Sequence, residues 1–362
     1  MTNYACTDLI GKTVGRWNVK ENVVNIDATS KYSLLYKVTD GNTSAIMKVL
    51  NYEMLFTAPL EASVTRSEMI GKEATAFNFE ERVAKKCSGH HMGNIVRYLD
   101  SDDTEISGYM MGTVSYIVYE LSDGKIGDFL SFSNKSDFVA DLGVLIGKLR
   151  SLHQVAKGVK QLHTKEIAHH NITPLSLEVF DSYNLTKVGG LQKSRSKQDD
   201  LHSPETFTMF DGDWTYAPPE AFFANKLTED MNTYYQIDSY MLGNLIVYYL
   251  TSLNMTALIN TRLPHSMKNW AWRGAEFEEV LPEIINAFYL SLSDMKGAIC
   301  MEELREPLCG MIEGLCFPDP SKRGYQKESG KIRPVTDMER VISKLDLLFR
   351  KAQITLYQQK KE

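Results

Sequence analysis

The hydrophobic and polar positions of the first 120 residues read mainly as short strands with one helix. Trp17 to Val24, Tyr32 to Val38 and Ser44 to Leu50 are strand candidates. Asp40-Gly41 supplies a hairpin turn between the second and third. Ser67 to Lys86 is a helix candidate. Ala76, Phe77, Val83 and Ala84 recur there near helical spacing among polar residues, and Gly89 is placed to end the helix. Ile95 to Leu99 and Ser115 to Leu121 read as two more strands.

From about residue 125 the pattern turns helical. Asp137 to His163 is long and periodic, with Leu142, Leu145, Leu149 and Leu152 on its apolar positions. Leu177 to Phe180 and Leu185 to Val188 are short strand candidates, and the polar run Lys193 to Ser203 reads as an exposed loop. Asp238 to Ser252 is a strongly apolar helix, and further helices fill residues 275–317 and 334–355. The expected architecture is α+β, a strand-rich N-lobe over 12–122 and a helical C-lobe over 123–355. An N-terminal extension, 1–11, and a C-terminal tail, 356–362, flank them.

Composition narrows the function classes. Hydrophobic residues make up 43% and charged residues 24%, which excludes wholesale disorder. The net charge of -6, from 40 basic and 46 acidic side chains, argues against a general nucleic-acid binder. No run approaches the roughly 18 apolar residues that cross a bilayer. The N-terminus lacks a basic segment ahead of a long apolar core, so neither membrane nor secretion is expected, and the setting is read as cytoplasmic. Cys6, Cys87, Cys300, Cys309 and Cys316 form no CxxC pair and fit reduced thiols. Cys87, His90 and His91 cluster, but no second ligand pair stands at zinc spacing, so no metal site is expected.

The segment Ile167-Ala168-His169-His170-Asn171-Ile172-Thr173-Pro174-Leu175-Ser176-Leu177 resembles the catalytic loop of a protein kinase. Ala45-Ile46-Met47-Lys48 resembles the third-strand lysine motif, and Glu80 its partner glutamate on helix C, ahead of Glu73 and Glu81. Tyr216-Ala217-Pro218-Pro219-Glu220 resembles the end of an activation segment. Asp238 to Gly243 resembles the DxxxxG of helix F, and Asp319-Pro320-Ser321-Lys322-Arg323 the late DPxxR. The pieces stand in kinase order over about residues 12 to 350, and their wording is most similar to a group of bacterial kinase-like proteins.

The resemblance implies a two-lobed protein kinase fold. It also shows what differs. Asn171 stands where the carboxylate base is expected, and an amide cannot take the proton. Thr173 replaces the phosphate lysine and Ser176 the metal-binding asparagine. The alignment puts Val188 at the magnesium aspartate, and valine offers a hard cation no oxygen. Arg16 to Asp40 has no glycine, and Asp27 lies where a loop should cover phosphates. His170 replaces the arginine that receives an activation-loop phosphate, and it is read as solvated beside a packed His169.

Residues matching structural positions are retained: His169, Glu220, Asp238 and Arg323. The asymmetry implies a pseudokinase, not an enzyme, that works as regulator, scaffold or decoy by binding another protein, an active kinase paralogue being one candidate. Bacterial signalling or phage defence is the setting the resemblance suggests. No cofactor is expected. Two alternatives stay open: metal-free ATP binding at Lys48, Glu80, Glu120 and Leu121 as a nucleotide-sensing switch, and a divergent transferase using a displaced acid from Asp199, Asp200, Asp211 or Asp213. Trp270-Ala271-Trp272 is a candidate interaction anchor.

Overall fold

The computed structural model describes residues 4–23, 32–60, 64–130, 138–204, 210–223, 227–270, 275–323, 325–326, 332–333 and 338–361. Residues 25–31 of the expected phosphate-covering loop, 25–33, lie outside them, as do Trp272 and the side chain of Trp270.

The first part is an antiparallel sheet. Its strands are β1 (Thr13–Val14), β2 (Trp17–Val23), β3 (Ser33–Thr39), β4 (Ser44–Leu50), β5 (Tyr98–Glu105) and β6 (Thr113–Glu120), in spatial order β1-β2-β3-β4-β6-β5. Alternation decides what each face holds. Ala45, Met47 and Val49 of β4 join Val114, Tyr116 and Val118 of β6 in one core beneath Trp17 and Tyr36. Ile46 and Lys48 therefore point to the opposite face, where Ile117 and Tyr119 of β6 also lie.

Two helices cover that face, α1 (Tyr52–Thr57) and α2 (Arg66–Gly89). A capping box starts α2: Glu68 N–H donates to Thr65 Oγ1, and Thr65 N–H donates back to the Glu68 carboxylate. Ala76, Phe77, Glu80, Val83, Ala84 and Cys87 form its buried stripe, so one carboxylate is carried into an apolar seam.

The strand expected at Ile95 to Leu99 is displaced. Ile95 makes only an isolated bridge to Val188, and β5 begins at Tyr98 and runs through Asp100, Asp102 and Asp103. It is an edge strand, where outward acids discourage further pairing. Trp17 Nε1 donates to Asp100 Oδ2 at 2.8 Å and makes use of one of them.

After β7 (Gly124–Lys125) comes α3 (Phe138–His163). Short strands follow: β8 (Ile167–Ala168), β9 (Leu177–Phe180), β10 (Leu185–Val188) and β11 (Arg195–Ser196), with β10-β9-β7 and β11-β8 as small sheets. Then come α4 (Met231–Thr251), α5 (Met255–Arg262), α6 (Phe277–Met295), α7 (Glu302–Cys316), the pair β12 (Tyr325–Gln326) and β13 (Ile332–Arg333), and α8 (Met338–Gln359). The molecule is thus α+β, a sheet region followed by a helical region.

α4 is buried nearly all round, as its continuous apolar run requires. Gly243 lets α7 approach it, since a Cβ there would meet Cys316 Sγ at 2.3 Å. Among the described residues no single helix is long and apolar enough to cross a membrane. The polar run 193–203 is not an exposed loop throughout. Ser194, Arg195 and Ser196 are buried, because β11 pairs with β8 and Arg195 donates to the carbonyls of Lys193 and Ser194.

Candidate active site

A cleft of about 390 Å³ opens between the sheet and the helical region. Val23, Leu35 and Ile46 line one side, Leu175 and Glu178 the other, and Leu121 and Ser122 the connecting strand edge. Lys48 and Glu80 close its inner end.

Glu80 Oε2 is 2.6 Å from Lys48 Nζ, and both side chains are over nine-tenths buried. Tyr119 donates its hydroxyl to Glu80 Oε1 at 3.0 Å. Burial and the Glu80 charge push the Tyr119 phenol well above its ordinary pKa, so it stays a donor. Lys48 Nζ also reaches Gln192 Oε1 at 3.4 Å. One ammonium thereby joins β4, α2 and the segment after β10. Glu81, the neighbouring candidate, turns away to Lys85 and Ser101.

At the strand edge Glu120 and Leu121 part company. Glu120 Oε1 is 2.6 Å from Lys187 Nζ and accepts the Arg97 N–H at 2.7 Å, while Leu121 faces the cleft. On the floor Glu178 Oε1 pairs with Lys125 Nζ at 2.9 Å.

The loop after β8 is pinned from below by Asp238 of α4. Asp238 Oδ2 accepts the His169 N–H at 2.7 Å and contacts His163 Nε2 at 2.8 Å, and Oδ1 accepts the His170 N–H at 2.7 Å. Burial alone would raise the Asp238 pKa. The hydrogen bonds from the His163 ring and the His170 amide outweigh it, and the net shift is downward. His169 has both ring nitrogens occupied. Nε2 donates to Gly189 O at 2.7 Å, and Nδ1 accepts the Asn171 N–H at 3.2 Å. Burial lowers its pKa, and the neutral ring serves as a strut.

His170 is not solvated. It is wholly buried between Phe210 and Tyr234, its ring centroid 5.3 and 5.5 Å from theirs. Neither ring nitrogen has a hydrogen-bond partner among the described residues. Burial first, then the Arg195 charge, lowers its pKa to about 3.

Three of the divergent positions have plain local roles. Asn171 Oδ1 accepts the Asp213 N–H at 2.8 Å. Ser176 Oγ accepts from Thr173 N–H at 3.1 Å and donates to Thr173 O at 2.9 Å, which closes the turn. The fourth, Val188, is in the wrong place to be a ligand. It ends β10 opposite Leu177 with its side chain buried against α3, where Gly158 makes room: a Cβ on that glycine would meet Val188 Cγ2 at 2.8 Å. Gly189, Gly190 and Leu191 line the cleft instead, Gly190 left-handed at φ 66 with Ser176 about 3.4 Å from where its Cβ would stand.

Away from the cleft, Arg323 Nη1 and Nη2 meet the two oxygens of Glu220 at 2.8 and 2.9 Å, both side chains buried. Among the displaced-acid candidates, Asp199 and Asp200 are exposed, Asp200 pairing with Lys86 at 2.9 Å. Asp211 meets Arg195 at 3.3 Å, and Asp213 lies beside Asn171. No group of three or more potential metal ligands occurs among the described residues, Cys87, His90 and His91 included.

No protein-family model matches this sequence. Over an alignment 159 residues long that covers 41% of the chain, it is 30% identical to a protein named probable serine/threonine-protein kinase 2 from Autographa californica nuclear polyhedrosis virus. The match spans 66% of that relative's length, just short of two thirds. It supports a kinase-like relationship. It also overturns the expectation that this chain is not an enzyme, because the relative carries an enzyme's name. That relative is viral, so the bacterial grouping read from the sequence gains no support from it.

Proposed function

We propose that this chain is a divergent kinase-like transferase with two lobes about the cleft, 12–122 and 123–355. It binds a nucleoside triphosphate there and passes a nucleotide-derived group, the terminal phosphoryl in the simplest case, to a protein acceptor. A serine or threonine hydroxyl is the acceptor that the relative's name suggests. The observation that carries this reading is the Lys48–Glu80 pair at the inner end of the cleft. A buried ion pair contributes little net stability. Held by Glu80 and Gln192, the Lys48 ammonium is a point charge set in place for an anionic ligand.

The chain supplies the rest in parts. Leu35 and Ile46 offer an apolar surface to a base, and no hydrogen bond among the described residues uses the Ser122 backbone at the edge. Magnesium does not fit the residues where kinases hold it. Gly189 and Gly190, which line the cleft after β10, have no side chain, and the Ser176 hydroxyl is committed to Thr173. No step is therefore routed through a metal.

Thermal melting with ATP, ADP or buffer, each with magnesium or with a chelator, tests the reading. Nucleotide at about 100 times its dissociation constant stabilises by about 2.7 kcal/mol. A shift that persists in chelator and disappears in Lys48→Met is expected. The absence of a shift with either nucleotide under both conditions would refute it.

A further inference from the structure

A kinase-like transfer needs a carboxylate beside the acceptor hydroxyl, and the catalytic-loop position has an amide, Asn171. The orientation of that amide is set by its partner. The Asp213 N–H is a donor, so the Asn171 atom 2.8 Å away is the oxygen, and the Nδ2 group is left as a donor. Asn171 can steady an oxygen but cannot accept a proton.

The same hydrogen bond brings a carboxylate to the place. Gly212 makes the approach possible: a Cβ there would meet His170 O at 2.4 Å, so the backbone passes directly under the loop. Asp213 follows, half-buried, and caps the turn Trp214–Tyr216. Its Oδ1 accepts both the Thr215 N–H at 2.9 Å and the Thr215 hydroxyl at 2.7 Å. Its Oδ2 has no partner among the described residues. Trp214 packs against Phe210 and Phe222, ring centroids 5.0 and 5.3 Å away, and holds the turn in position.

We infer that Asp213 is the carboxylate of this site, the acid and amide having exchanged places across one hydrogen bond. This rests on the transferase reading above. In the step, the acceptor hydroxyl oxygen attacks the terminal phosphorus and a new P–O bond forms. The bond from that phosphorus to the bridging oxygen breaks, and its electron pair leaves with the nucleoside diphosphate. The hydroxyl proton passes to Asp213 Oδ2, while Asn171 Nδ2 donates to the attacking oxygen.

The test compares wild type, Asp213→Asn and the exchange variant Asn171→Asp/Asp213→Asn. Asparagine keeps the turn cap, so the fold is preserved. The first readout is the ATP-induced melting shift. The second is transfer of labelled terminal phosphate from ATP to dephosphorylated casein or to the chain itself. Asp213→Asn is expected to keep the shift and lose at least about 100-fold in rate, as removal of a general base does. The exchange variant is expected to regain most of that loss. Unchanged transfer in Asp213→Asn, or wild type that binds ATP and transfers nothing, would overturn the assignment. Wild type that shows no ATP shift would refute the underlying transferase reading instead.

Discussion

Arg323 and Glu220 show what a single residue contributes here. The guanidinium donates bidentately to Glu220, gives Nε–H to Phe317 O at 3.0 Å, and lies over the Tyr240 ring at 4.9 Å. Burial lowers its pKa and Glu220 raises it, the net shift being upward. Arg323→Ala would leave a buried carboxylate unpaired, at a cost of about 3–5 kcal/mol. Urea denaturation should read that loss, and one below about 1 kcal/mol would show that the pair does not hold the two segments together. Pairings of this kind were legible in the sequence because each side chain stands in a recognisable motif. The turn at Gly189 and Gly190 was not, because a strand's end and a left-handed residue decide what meets the cleft, and neither has a sequence signature beyond glycine itself. His170 was misread for a related reason. Composition cannot show that Phe210 and Tyr234 close over it.

At the scale of elements, one carboxylate joins three of them. Asp211 meets Arg195 of β11 at 3.3 Å and Lys72 of α2 at 4.0 Å, while its own segment carries Phe210 over His170. Arg195 is almost wholly buried, and burial lowers its pKa against the pull of Asp211. Asp211→Asn keeps the shape and removes the charge. It should cost about 2 kcal/mol, less than a full buried pair because Arg195 keeps its bonds to Lys193 O and Ser194 O. Amide exchange should speed up roughly tenfold or more across 210–216 and the first turns of α2, with little change in α4. Uniform acceleration, or none, would show that Asp211 does not latch the segment. Much of this level was readable: β4 and β10 occur at the strand candidates of the sequence, and α2, α3 and α8 within a few residues of the helices read there. β11 was not, since its burial follows from pairing with β8, a contact between short polar segments with no periodicity to display.

For the whole molecule, the buried histidines set the acid limit of stability. His170 faces Arg195, Asp211, Asp238 and His169, and its pKa drops from 6.5 to about 3 in the folded state. The unfolded chain then binds a proton that the folded chain refuses. Stability is complete above about pH 6.5, declines as pH falls, and levels off from this group only near pH 3. His169 shifts in the same direction and steepens the slope. Asp238 acts lower: its pKa is below 3.8 in the folded state, so its contribution is kept above that value and lost as acid protonates it. His170 alone should cost about 2–3 kcal/mol between pH 6 and pH 4. His170→Asn removes the titration and suits the left-handed backbone there, φ 62. Urea denaturation at pH 8, 6 and 4 should give the variant a shallower acid slope than wild type, whatever its absolute stability. Equal slopes would mean that His170 already has access to a proton in the folded protein, and so that Phe210 and Tyr234 do not seal it.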